Sequence, residues 1–215
     1  MNFTLEKETW ITASTQAFWG EIAPCDHVLQ IYENDAVFLD LLEGFVVNGF
    51  NSGDCVIIIA TTEHLSALNN RLRNIGFDLF SLTLTDQYIP LNSQETLSHF
   101  IINGWPDEIL FNHLISGLLA RGRRGNRQVR AFGEMVAELW AKGHSGATVR
   151  LEYLWNRFCE TEPFKLFCAY PKSGFTQDAQ TSLRNICHSH SKLITAADNS
   201  TFDVLYQPVH QKKAG

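Results

Sequence analysis

Residues 54–64 read DCVIIIATTEH, and this stretch decides the fold. Cys55 to Ala60 are apolar without a break. A strand wetted on one face alternates polar and apolar residues, whereas an unbroken run suits a parallel strand covered on both faces. Thr61 and Thr62 follow as helix starters, and Leu65, Leu68, Leu72 and Ile75 continue at helical spacing up to Gly76. A buried strand feeding directly into an amphipathic helix is half of a βαβ unit.

The same unit recurs on either side. Upstream, Pro24 precedes a short β-rich run, His27–Tyr32 (HVLQIY). Asn34 and Asp35 then offer N-caps, and Val37, Phe38, Leu41, Leu42, Phe45 and Val46 are spaced for a helix that Gly49 is expected to cap. Downstream, a weaker strand is expected around Tyr88–Leu91, followed by an Asn92/Glu95 capping box and a short helix through Leu97, Phe100 and Ile101. Pro106 suits the first turn of a helix running toward Arg121. Gln128–Phe132 reads as a strand leading into Gly133-Glu134 and a helix through Met135, Val136, Leu139 and Trp140. Leu151, Leu154, Trp155 and Phe158 mark another helix, and Phe164–Tyr170 another strand, stopped by Pro171. A final helix is expected from Thr176 to Ile194, with Leu183, Ile186, Cys187, His190 and Ile194 on one side. Strands separated by helices predict an α/β fold: a three-layer, mostly parallel sheet with helices on both faces.

Composition agrees. The chain has 215 residues, 45% of them hydrophobic and only 19% charged, which supplies a core and excludes a disordered chain. A net charge of -6 argues against a nucleic-acid partner, and the one basic cluster, Arg121–Arg127, reads as a solvated loop. The 5 cysteines are scattered without a CxxC, so reduced thiols in a cytoplasmic protein are expected. No leader-like segment opens the chain, and its longest apolar run falls far short of the ~20 residues of a membrane helix, so no membrane partner is expected. Trp10, Phe18 and Trp19 precede the first strand and are expected either to dock on the domain or to mark a partner surface.

Five stretches, HVLQIYEND, DCVIIIATTEH, VRAFGEMVAELW, LEYLWNRF and FKLFCAYP, with a closing ICHSHS, resemble the MEDS domain in consistent order. That is the sensory domain named for methanogens, methylotrophs and the dichloromethane regulator. The resemblance implies a fold similar to the RecA/KaiC-type ATPase domain, adapted to sense small molecules. The match runs from about His27 to about Ile194, and residues 1–22 and 195–215 are less patterned, so the expected division is an N-terminal extension (1–22), a sensory domain (23–194) and a C-terminal tail (195–215). Relatives sit beside histidine kinase, PAS or DNA-binding modules, for which this chain is too short. Signalling is therefore expected through a histidine kinase or other partner in trans, or through a homodimer.

A phosphate-binding loop on such a fold needs GxxxxGK[ST] after the first strand, to cradle anionic phosphates with backbone amides and a lysine. Here the turn reads Glu33-Asn34-Asp35, and no Gly-Lys pair occurs anywhere. A non-catalytic domain without a bound cofactor is expected. A KaiC/RecA-like nucleotide-binding protein with a degenerate phosphate loop is the alternative, and an enzyme using Glu134 a third reading.

Ligands of parallel sheets bind at the carboxyl ends of the strands. The expected small-molecule site is therefore Tyr32, Glu33, Asn34, Thr62, His64, Phe132, Gly133, Glu134 and Tyr170. Aromatic walls with a few polar groups and clustered carboxylates predict a neutral or cationic ligand. Elsewhere the bland readings prevail. Glu152 and Asn156 share a helix face and read as structural beside Trp155. His188 and His190, two apart on the expected helix, diverge by about 200° and do not share a metal. His190 falls on the apolar stripe as a hydrogen-bonded core histidine, the Cys159/Cys168 spacing matches no zinc pattern, and no metal site is expected.

Overall fold

The run at 55–60 forms β3 (Cys55–Ala60), buried along its whole length. It is hydrogen-bonded in parallel to β4 (Tyr88–Asn92) on one side and β7 (Val129–Gly133) on the other. The protein is described by a computed structural model covering residues 11–174, 184, 186–196 and 202–206. β2 (His27–Tyr32) pairs in parallel with β8 (Lys165–Pro171) and β9 (Lys192–Ala196), and β8 joins β7. β1 (Ile11–Ser14) and β10 (Phe202–Tyr206) extend the β9 side as antiparallel strands. The resulting order is β1-β10-β9-β2-β8-β7-β3-β4, parallel from β9 to β4. A small hairpin, β5 (Ile101–Ile102) with β6 (Trp105–Pro106), stands apart.

Strand periodicity sends alternate side chains to opposite faces and so builds two cores. On one face Val28, Ile58, Phe132 and Phe167 pack with Phe18 and Trp19 of α1 (Thr15–Glu21), Phe38, Leu42 and Phe45 of α2 (Asp35–Asn51), and Leu68 and Leu72 of α3 (Thr62–Asn74). Phe18 and Trp19 thus dock on the domain. On the other face Leu29, Ile57, Ala131, Cys168 and Tyr170 pack under α6 (Glu108–Gly122), α7 (Met135–Ala141) and α8 (Ser145–Thr161). Two short helices, α4 (Leu79–Leu84) and α5 (Ser93–Ser98), flank β4. Capping follows the sequence closely. Asn34, Thr61 and Asn92 each accept a hydrogen bond from the backbone N–H three residues on.

Four expectations need correction. Gly49 does not cap α2, which runs on to Asn51; the left-handed residue beyond it is Gly53 (φ 76°). Gly49 lies instead beneath Arg130, a fully buried side chain on β7. Arg130 donates to Asp54 Oδ2 through Nε (2.9 Å) and Nη2 (2.6 Å), and to the Phe45 carbonyl through Nη1 (2.9 Å). Pro106 sits in β6, and Asp107 caps α6. Ile101 belongs to the hairpin rather than to a helix. The final helix does not reach Ile194, because residues 192–196 are a parallel strand beside β2. Their apolar residues are half of a strand pattern, which a helical stripe can imitate over so few positions. The start of that helix, 175–183, lies outside the described residues, as does Trp10. The flanking stretches set apart by the sequence, 1–22 and 195–215, each contribute a strand to the same sheet.

Candidate functional site

At the carboxyl edge, β7 ends on Gly133 and delivers Glu134 between β3 and α3. The Glu134 N–H donates to the Ile59 carbonyl (2.9 Å), which locks the turn onto β3. Its carboxylate accepts from the Thr61 N–H at Oε2 (3.0 Å) and lies 2.7 Å from His64 Nδ1 at Oε1. His64 Nε2 points toward Asp35, 3.9 Å away. Burial alone would lower the His64 pKa. The hydrogen bond and charge of Glu134, with Asp35 and Glu63 nearby, outweigh it and raise the pKa above the ordinary 6.5.

Phe38, from the first turns of α2, stands in the middle of this group. Its ring stacks on Tyr32 (4.8 Å between centroids) and touches His64 (4.9 Å) and Phe132 (5.5 Å). Tyr32, His64, Phe132 and Glu134 lie together, with Phe38, a residue of the expected α2 stripe, packed between them. Burial and the neighbouring Glu134 and Asp35 charges keep the Tyr32 phenol protonated.

The other expected residues lie around or away from this cluster. Glu33 is exposed and paired with Lys172, and Asn34 uses its side chain on the α2 N-terminus. Thr62 Oγ1 accepts from Asn92 Nδ2 (3.0 Å), tying α3 to the end of β4. Tyr170 and Gly133 face the opposite core. In the β2–β8 register Tyr32 opposes Pro171 and Ile31 opposes Tyr170, so the period of two turns Tyr170 away. A Cβ on Gly133 would meet Trp155 at 3.7 Å.

On that opposite face the structure assembles a second constellation: His27 from β2, Glu152 from α8, Cys168 from β8 and His190 from the turn before β9. One donor atom from each lies within 4.8 Å of the others, and all are buried. His27 Nε2 is 3.3 Å from Cys168 Sγ and 3.6 Å from Glu152 Oε2, and His190 Nε2 is 3.6 Å from the same Oε2. The far atoms are anchored. His27 Nδ1 lies 3.1 Å from the Ser189 carbonyl and His190 Nδ1 2.6 Å from the Ile186 carbonyl, while Tyr170 donates to Glu152 Oε1 (2.5 Å). Among the described residues, Glu152 Oε2 and His190 Nε2 have no hydrogen-bond partner within 3.5 Å. Burial pushes the Glu152 carboxyl up to about 8 and the His190 imidazole down to about 4. His190 is indeed a hydrogen-bonded interior histidine, but not on a helical stripe. Local spacing missed this group because its members come from four separate elements; strand parity puts His27, Cys168 and Tyr170 on one face, and that signal was available.

The family model for MEDS, the methanogen/methylotroph, DcmR sensory domain, matches residues 26–191. No curated protein matches the chain. Among solved structures, a KaiC-like protein from the hyperthermophilic archaeon Pyrococcus horikoshii OT3 superposes with a TM-score of 0.57 at 10% identity, covering 84% of this chain and 77% of that one. A second Pyrococcus horikoshii OT3 chain, solved in a structural study, gives a TM-score of 0.55 at 10% identity over 88% and 90%. At that identity the likeness is one of fold. Among the described residues, no helix is long and apolar enough to cross a membrane.

Proposed function

We propose that this chain, which belongs to the MEDS family of sensory domains, senses a small neutral or cationic molecule at the carboxyl edge of its sheet and does not turn over nucleotide. The observation that carries the reading is the Glu134 carboxylate, held by the Thr61 N–H and His64 against the Tyr32, Phe38 and Phe132 rings. An orienting polar group set in an aromatic wall suits a small organic ligand. A phosphate would meet Asp35 and Glu134, and the α2 N-terminus is already capped by Asn34. Ligand entry displaces the Phe38 ring, which shifts the first turns of α2 and gives the domain a second state to report. The output passes to a partner in trans, such as a histidine kinase, or across a homodimer; neither nucleic acid nor membrane is a partner in this reading.

The KaiC-like fold favours one competing reading, a nucleotide-binding protein with a degenerate phosphate loop. Thermal-shift screening of the full chain separates the two. Small neutral and cationic organic compounds should raise the melting temperature, and Phe38→Trp, which fills the site further, should abolish the response. Magnesium-dependent stabilisation by ATP, with no response to organic compounds, would replace the sensory reading with the nucleotide one.

A further inference from the structure

We infer that His27, Glu152, Cys168 and His190 form a tetrahedral site for a divalent metal of zinc-like chemistry, on the α8 side of the sheet and separate from the carboxyl-edge site. Zinc bonds of about 2.0–2.3 Å to nitrogen, oxygen and sulfur set tetrahedral edges of roughly 3.3–3.6 Å between ligand atoms. The three contacts of the group, 3.3, 3.6 and 3.6 Å, lie within about 0.3 Å of the edges such a tetrahedron sets. No donor pair is more than 4.8 Å apart, so closing the remaining edges needs side-chain adjustment of about an ångström and no backbone rearrangement.

Orientation supports the same conclusion. Both histidines direct Nδ1 at a backbone carbonyl, which fixes the Nδ1–H tautomer and leaves each Nε2 lone pair facing the centre. Tyr170 holds the outer oxygen of Glu152 and turns the inner one the same way. Ligand atoms aimed inward by outer hydrogen bonds are the usual build of a protein metal site. A metal-free network explains less. In a metal-free network a Cys168 thiol can donate to His27, while Glu152 Oε2 and His190 Nε2, 3.6 Å apart, lie beyond ordinary hydrogen-bond length and have no closer polar partner among the described residues. Unpaired polar atoms in an interior are costly, and a cation between them removes the cost.

The donor set also selects the ion. A thiolate with two imidazoles favours zinc over magnesium or calcium, which prefer oxygen. Thiolate and carboxylate together neutralise a divalent charge, so the closed cluster is buried without net charge. Four protein donors fill a tetrahedron and leave no position for water, which makes this a site that holds structure together and not a hydrolytic centre. It joins four elements that are remote in sequence, and through His190 it fastens the segment before β9 to the sheet.

The test uses the full chain, produced with zinc or cobalt and analysed for metal content after gel filtration. Stoichiometric metal is expected. The cobalt form should show the intense visible bands of a tetrahedral ion and a thiolate-to-cobalt charge-transfer band that Cys168→Ser removes. Tyr170→Phe, which removes the hydroxyl that holds Glu152 Oε1, should weaken metal affinity about 10–100-fold. Substoichiometric metal in the folded chain, with a melting temperature indifferent to added zinc and to chelator, would overturn the inference. So would a cobalt spectrum without the charge-transfer band. Should Cys168→Ser fail to fold, the metal content and cobalt spectrum of the wild type, with Tyr170→Phe, decide the matter without it.

Discussion

Replacing Gly49 by alanine sets two familiar effects against each other. Gly49 lies inside α2 with ordinary helical geometry, and alanine in a helix interior is worth about 1 kcal/mol over glycine. A Cβ at this position, however, would lie 2.7 Å from Arg130 Cδ, 2.7 Å from Val56 Cγ2 and 2.8 Å from Arg130 Nε. None of these atoms is a free side-chain end. Val56 is within β3, and the guanidinium is held by Asp54 and the Phe45 carbonyl. Overpacking of this kind costs typically about 1–3 kcal/mol, and loosening a buried ion pair adds to it. We expect strain of ~3 kcal/mol against the ~1 kcal/mol gain, a net loss of about 2 kcal/mol. For a domain of this size that lowers the melting temperature by about 4–8 °C. Urea unfolding followed by tryptophan fluorescence measures it directly. Val56→Ala in the Gly49→Ala background should recover part of the loss, giving a favourable coupling in the double-mutant cycle. A Gly49→Ala chain as stable as the parent, or more so, would refute the account of why a glycine sits there.

Three further outcomes follow from the geometry. His64 has a pKa raised above 6.5, so its contribution to stability is full below that value and is lost as pH rises through the higher folded value; the melting-temperature gap between the parent and His64→Gln should be widest in acid and narrow in alkali, and a constant gap would remove the His64–Glu134 ion pair from the account. The chain should release no phosphate from ATP with magnesium in a colorimetric assay, and release that is lost in Glu134→Gln would contradict the proposed function. Ending the chain after Ser191 deletes β9 and leaves one side of β2 unpaired, so light scattering should show aggregation or calorimetry a lowered melting temperature; a monodisperse chain with unchanged melting would contradict the pairing of β9 with β2.

The βα units were legible because each carries its own period. The unbroken run at 55–60, the caps at Asn34, Thr61 and Asn92, and the stripe through Leu65, Leu68 and Leu72 each suffice locally. What could not be read locally was pairing across distance. Five residues at 192–196 show too little periodicity to separate a strand from the end of a helix, and only their place beside β2 decides it. The role of Gly49 is hidden for the same reason, since its partner Arg130 is on another element. At the carboxyl edge, Tyr32, His64, Phe132 and Glu134 could be grouped from the rule for parallel sheets. Tyr170 required the β2–β8 register, which reverses its face. The His27, Glu152, Cys168 and His190 group needed both register and helix placement.

The position of β9 also sets a timetable for folding. β2 is encoded near the start of the chain, but one of its two neighbours is β9, near the end, and β1 waits for β10, encoded later still. During synthesis the half of the sheet from β8 to β4 can assemble from what has already left the ribosome. β2, meanwhile, presents a bare row of amides and carbonyls on its β9 side, a template for another nascent chain. His27 begins that strand, and Ser189 and Ser191 meet it only when the last segment arrives. Native closure of this protein is thus a late, long-range event. Contacts between residues so remote in sequence are the kind that slow the folding of a domain.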